Sequence, residues 1–171
     1  MAANIVGLDR LLPRIFPPHF LREWDHGESR AVDQVMGAFF MVRRELFQAL
    51  GGFDQRFFVY YEDLDFALRA RQHGWATWYV AEASAEHAGG GTTAGIPAQR
   101  LFYVLRSRTL YSRKHFGAVP AVALAVLALF VEPLSRIVGA LIRLDPAQVR
   151  NIVAAYVRFW LCIPRLVLSS G

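Results

Sequence analysis

Cysteine is almost absent from this 171-residue chain, in which Cys162 stands alone. A single thiol excludes an internal disulfide framework and fits a reducing compartment. Its apolar, helix-patterned surroundings mark it as a small buried or lipid-facing hydrophobe. Charge is scarce as well, at 19% of residues against 54% hydrophobic ones, with a mean hydropathy of +0.26. Acidic residues are withheld from the second half. Residues 1–87 hold nine Arg and twelve Asp or Glu, net −3, whereas residues 88–171 hold nine Arg, Lys114 and only Glu132 and Asp145, net +8. A half that is both apolar and basic points to an anionic surface, and lipid headgroups suit it better than nucleic acid, which is not an expected partner. No charged stretch leading into an apolar core opens the chain, so the sequence predicts no signal peptide. The uncharged run from Ala118 to Val131 is 14 residues long, short of the roughly 20 that a membrane-spanning helix needs.

The length fits one domain, or one domain with an appendage. Residues 1–31 are poorly periodic and are broken by Pro13, Pro17 and Pro18, with Phe16, Phe20 and Trp24 available to tuck the arm against a core. Residues 35–42 form a continuous apolar run of strand length and predict a buried strand. A short helix is expected from Arg44 to Leu50, a second from Glu62 to His73 closed by Gly74, and a strand over Trp75 to Val80. Residues 88–95, with four glycines and two threonines, read as loop. Pro97 suits a first helical position and opens a helix that Gly117 closes.

Beyond Gly117 the composition shifts. Glu132 and Pro133 interrupt the apolar run, and Asp145-Pro146-Ala147-Gln148 has the order of an Asp N-cap, Pro at N1 and Gln at N3. Arg136, Arg143, Arg150, Arg158 and Arg165 recur at about two helical turns, which puts the arginines of each helix on one face. A basic stripe on an apolar helix is the pattern of a helix lying among lipid headgroups. Two amphipathic helices packed on a soluble core, arginines to water, would leave the same pattern.

The densest chemistry lies in Gly51-Gly52-Phe53-Asp54-Gln55-Arg56-Phe57-Phe58-Val59-Tyr60-Tyr61-Glu62-Asp63-Leu64-Asp65-Phe66-Ala67-Leu68-Arg69-Ala70-Arg71. Gly51-Gly52 stops one helix, since glycine takes the left-handed cap conformation at no steric cost. Phe57, Phe58, Tyr60 and Tyr61 give the loop apolar anchors. Glu62, Asp63 and Asp65 fall in the first turn of the next helix, where unpaired N–H groups favour negative charge. Asp65 and Arg69 make an i,i+4 pair. Ordinary acidic capping accounts for any one of these carboxylates, and accounts less well for three of them behind an aromatic loop.

The pattern GGFD-x-x-FF-x-Y-x-ED-x-D-x-x-x-R resembles the acceptor-side half of family 2 glycosyltransferases, the inverting GT-A enzymes, in particular their rhamnosyltransferase-like members. Val32 to Arg44, Gly74-Trp75, His87 with Gly89-Gly90-Gly91-Thr92-Thr93, and Arg100 to Phe116 extend the resemblance over roughly residues 5–117, in the family's order. It implies an α/β fold: a partial GT-A-like (Rossmann-like) module over residues 1–117 that lacks the N-terminal nucleotide-binding half, then a membrane-associated tail of amphipathic helices over 118–171. Nothing before residue 32 could supply that half with its Asp-x-Asp motif, and Asp63-Leu64-Asp65 lies at a helix start rather than after a strand.

An inverting transfer needs a base to deprotonate the acceptor hydroxyl and counter-charge for the departing nucleoside diphosphate. By resemblance Asp63 is the base and Glu62 orients it or the acceptor. Asp65 supports structure through Arg69. Asp54 either caps its loop or touches substrate, and Tyr61, Gly90, Thr92, Arg106 and Arg108 are further substrate-binding candidates. His87 maps onto a family metal-binding position, with Mg or Mn expected, and equally fits a structural histidine at a strand end. Glycines admit close phosphate approach, and threonine hydroxyls can donate to it. The expected partners are a nucleotide-sugar donor, a cell-envelope glycan or lipid-linked acceptor, an anionic membrane surface on the cytoplasmic face, and a complementary N-terminal half. The rival readings are a non-catalytic membrane-bound fragment or accessory subunit that keeps the acceptor-site fold, and a basic membrane-surface protein without a glycan role.

Overall fold

The computed structural model describes residues 24–87, 93 and 95–168, which fall into two compact units divided between His87 and Thr93. The architecture is mixed, with one two-stranded sheet and mostly helices among the described residues.

In the first unit, β1 (Arg30–Val32) runs antiparallel to β2 (Thr77–Tyr79), pairing Arg30 with Tyr79, Ala31 with Trp78 and Val32 with Thr77. Two three-residue strands have few ladder bonds, and side chains reinforce them. The Ser29 hydroxyl donates to Glu82 at 2.6 Å and accepts the Ala81 N–H at 2.8 Å. Trp24 meets Tyr79 edge-on at 4.9 Å and carries the Arg30 guanidinium 3.7 Å above its ring, a cation–π contact. Helix α1 (Arg44–Ala49) and helix α2 (Glu62–Gln72) enclose the core of this unit, where Leu46, Phe66 and Ala70 are buried with Phe40, Val42, Phe47 and Leu50 packed around them. Phe53 joins through edge contacts with Phe47 at 5.5 Å and Phe66 at 5.4 Å. Burying a side chain such as Phe66 contributes about 1.5–3 kcal/mol.

Residues 35–42 do not form the expected strand. Gly37–Phe39 is a single 3₁₀ turn, and no described segment pairs with the run. Its apolar side chains divide: Phe40 and Val42 pack on the core, while Met36, Phe39 and Met41 are exposed, Met41 at 90%. A buried strand covers both faces, and this run covers one. Among the described residues the first strand lies instead at 30–32, overlapping the end of the 1–31 stretch read as irregular. The helix from Glu62 ends as expected, at Gly74 with φ +83°.

The second unit is helical: α3 (Pro97–Phe116), α4 (Ala118–Phe130), α5 (Glu132–Ile142) and α6 (Pro146–Leu168). Gly117, at φ +91°, is the only residue between α3 and α4. Leu105, Ala125, Ala128, Ala140, Ile152, Tyr156, Phe159 and Leu166 form the core. Alanine at three of these places lets helix backbones approach closely. The helix α3, placed with the first domain by the 1–117 boundary, packs here on α4 and α6. Asp145 caps α6 as its sequence predicts, accepting the Gln148 N–H at 2.8 Å.

Candidate functional site

Two consecutive non-glycine residues, Tyr60 (φ +66°) and Tyr61 (φ +72°), adopt left-handed backbone conformations immediately before α2. Each costs roughly 1–3 kcal/mol and persists only when surrounding structure holds it. The turn delivers Glu62, Asp63 and Asp65 together into the first turn of α2, whose N-cap, Tyr61, supplies no side-chain hydrogen bond. The carboxylates thus meet a helix N-terminus with unpaired donors.

Their environments differ. Asp65 is fully buried and accepts from Arg69 Nε at 2.8 Å. Arg69 then donates to the Leu50 carbonyl at 2.8 Å and the Gly52 carbonyl at 2.7 Å. The pair anticipated from i,i+4 spacing therefore also fastens the Gly51-Gly52 turn to α2. Gly52 is required there twice over, by φ +73° and because a Cβ would lie 3.1 Å from the Phe47 ring.

Asp63 is oriented from both sides. Its Oδ1 accepts the Leu64 N–H at 2.8 Å, and its Oδ2 accepts the Gly37 N–H at 2.9 Å. Charge-assisted bonds of this kind are among the stronger hydrogen bonds in proteins. The backbone of the 35–42 run is thus a positioning element for Asp63, a role its apolar side chains conceal. Gly37 is the partner of Asp63 that the sequence reading missed. The available signal was a glycine inside an otherwise continuous apolar run, which argues for a turn or a close backbone approach. Glu62 stands beside Asp63 with Oε2 buried and unpartnered. Burial pushes its carboxyl above the usual range, its own backbone N–H opposes that, and the Asp63 charge adds to the rise.

Asp54 closes its own turn, accepting the Arg56 N–H at 3.0 Å and a guanidinium bond from Arg56 Nη2 at 2.8 Å. Tyr61 is half-buried at the head of α2, and His87 is exposed. Gly90 and Thr92 lie outside the described residues. Among the described residues no group of three or more His, Cys, Asp or Glu could hold a metal ion. His87 belongs to no such group among the described residues.

Arg106 and Arg108 belong to the helical unit. Arg106 is half-buried on α3. Arg108, a substrate-binding candidate by sequence, is buried, with Nη2 donating to Glu132 Oε2 at 2.5 Å and Nε buried without a hydrogen-bond partner. Arg136 completes a triad, reaching Glu132 Oε1 through Nε at 3.0 Å and Nη2 at 2.7 Å. Arg136 is exposed, as are Arg143, Arg150, Arg158 and Arg165, while its guanidinium is bonded to Glu132. Burial works to lower its guanidinium, and the Glu132 hydrogen bond and charge outweigh that and raise it.

The family model described as Glycosyl transferase family group 2 matches residues 21–168. Two curated relatives, the N-acetylglucosaminyl-diphospho-decaprenol L-rhamnosyltransferases of Mycobacterium tuberculosis strains CDC 1551 / Oshkosh and ATCC 25618 / H37Rv, are each 39% identical to this chain over 73 residues. The match covers 43% of this chain and 24% of each relative, so it spans about a quarter of their length. No solved structure matches.

Proposed function

From a chain that belongs to glycosyl transferase family group 2, we propose the acceptor-side part of an inverting, GT-A-type sugar transfer. The donor is a nucleotide-sugar and the acceptor a lipid-linked or cell-envelope glycan. The acceptor class is supported by the rhamnosyltransferase relatives, whose acceptor is N-acetylglucosaminyl-diphospho-decaprenol by name. The observation that carries the residue assignment is the double anchoring of Asp63 by the Gly37 and Leu64 N–H groups. A base works by holding one oxygen lone pair at the proton it removes. With Oδ1 and Oδ2 each held by one backbone donor, the carboxylate plane is set, and each oxygen keeps a further lone pair.

In the proposed step, the acceptor hydroxyl gives its proton to Asp63 as its oxygen bonds to the anomeric carbon. The bond from that carbon to the diphosphate oxygen breaks, and the nucleoside diphosphate departs with the electron pair. Glu62, half-buried beside Asp63, orients the acceptor. Where a divalent metal is bound, His87 would be a ligand to it by family resemblance, and the ion would supply counter-charge for the departing diphosphate.

The test is transfer of radiolabelled sugar from a nucleotide-rhamnose to a polyprenyl-diphosphate N-acetylglucosamine, with this chain co-expressed with the nucleotide-binding half of a family relative. Asp63→Asn should lower the rate by roughly 10²–10⁴-fold, the range for loss of a general base. Transfer unaffected by Asp63→Asn would remove the assignment. A second reading, a non-catalytic module that keeps the acceptor-site fold, is favoured by the burial of Arg108 and its ion pair with Glu132. Acceptor binding without transfer in any pairing would select it.

A further inference from the structure

Residues Ala118–Ile142 make a 25-residue apolar helical run with a mean hydropathy of 2.0, long and apolar enough to cross a membrane by length and composition. We propose that this run does not cross: the helical unit seats on one leaflet of an anionic bilayer through the outer face of α4 and α5, held there by exposed arginines. The proposal stands apart from the glycosyl-transfer reading, since it concerns the other unit.

The packing of α4 separates two apolar faces. Ala121, Leu124, Ala125 and Ala128 are buried, at helical spacing, against the rest of the unit. Val119, Val122, Val126 and Phe130 recur at intervals of three and four and are exposed, Val119 at 80% and Phe130 at 68%. On α5 the pattern continues through Leu134, Val138, Leu141 and Ile142, the last exposed at 77%. Only 28% of the most apolar window is buried. An outward face without charge over this distance exceeds what a water-facing helix ordinarily shows.

A core helix would have this hydropathy with the opposite burial, and a span would have it without the break at Glu132. The helix is interrupted at Val131, and Glu132 is buried between Arg108 of α3 and Arg136. To enter hydrocarbon as one rod, the run would carry Glu132 and Arg136 with it and strip Arg108 of its carboxylate. Buried charges separated from their partners are strongly unfavourable. Helix α3 could not follow, since it carries Arg100, Arg106, Arg108, Arg113 and Lys114. The ionic triad thus ties the run to a charged helix that must stay outside the hydrocarbon.

The occupant follows from charge. Arg143 closes α5, and Arg150 and Arg158 are exposed on α6, as are Trp160 and Leu161. Residues 88–171 carry a net charge of +8. An apolar face accompanied by arginines and an exposed tryptophan fits the headgroup boundary of an anionic leaflet.

Flotation of the full chain with phosphatidylcholine vesicles, with and without phosphatidylglycerol, tests this. The chain should float with the anionic vesicles and be released by alkaline carbonate. The combined substitution of Arg143, Arg150 and Arg158 by Gln should weaken binding about a hundredfold, from about fivefold for each basic residue at such a surface. Leu134→Asn with Leu141→Asn changes only exposed positions, so circular dichroism should be unaltered while flotation is lost. Carbonate-resistant flotation would show a span and overturn the proposal. A chain that stays at the bottom of the gradient, whether monomeric or self-associated, would overturn it too.

Discussion

Asp63, at the head of α2, accepts the backbone N–H of Gly37 at 2.9 Å across 26 residues of sequence. The bond joins the two segments that carry the family resemblance most densely, the Val32–Arg44 run and the Glu62–Arg71 helix. It turns an apolar stretch without a strand partner into the support of a carboxylate. The same segment packs Phe40 and Val42 on the core, so its position is set by burial and its N–H is aimed as a consequence.

That relationship can be removed without touching Asp63. Gly37→Pro deletes the donor at the first residue of the 3₁₀ turn, a place that accommodates proline, and Met36 already has the extended backbone (φ −69°, ψ 141°) that a following proline requires. The variant should lose about 1.5–3 kcal/mol of stability in urea unfolding, the range for a hydrogen bond to a charged group. Gly37→Ala retains the N–H and places its Cβ at an ordinary 3.5 Å from Asp63, so it should remain close to the parent. Equal stability of Gly37→Pro and Gly37→Ala would mean that the bond contributes nothing in solution.

Glu62 makes a pH-dependent contribution whose sign follows from its raised carboxyl. An acid with a higher pKa in the folded state binds its proton more tightly there than in the unfolded chain. Its contribution is therefore fully present below the ordinary carboxylate pKa and is lost as pH rises through the higher folded value. At neutral pH, with the group charged and half-buried, Glu62→Gln should raise Tm. In mildly acidic buffer the gain should shrink. Thermal unfolding of both proteins across that range measures the difference, and a gain that is constant with pH would show that ionisation of Glu62 is not its source.

What could be read in the sequence was what local spacing encodes. The Asp65–Arg69 pair, the Gly74 stop and the Asp145–Gln148 cap each involve residues within four positions of one another or a single backbone conformation, and each is present. Non-local partners were not legible. Nothing near Arg108 in sequence reveals that its carboxylate comes from Glu132, 24 residues on. The Gly37 contact is hidden in the same way. Continuous apolarity over residues 35–42 was read as a buried strand because hydropathy cannot report whether a neighbour is present to pair with it. The spacing of Arg136 matched that of the other exposed arginines, and only the structure shows its guanidinium bonded to Glu132.

The Arg108–Glu132–Arg136 triad separates the effect of breaking a buried ionic group from that of replacing one. Glu132 is 4% exposed and Arg108 8% exposed, so Glu132→Ala leaves a buried guanidinium without its counter-charge. That change should cost about 3–5 kcal/mol. Replacing both Glu132 and Arg108 by Met fills similar volume with no charge left to desolvate, and leaves the more exposed Arg136 free to reach water. The double variant should be substantially more stable than Glu132→Ala, and near the parent. Urea unfolding of the three proteins gives the comparison. The outcome decides what holds α5 against α3. If the double variant is as damaged as the single one, geometry at the Val131 break rather than unpaired charge sets the cost. If it recovers, the triad serves to fix where α5 sits and adds little to stability, which is the role that keeping residues 118–142 out of the hydrocarbon would require.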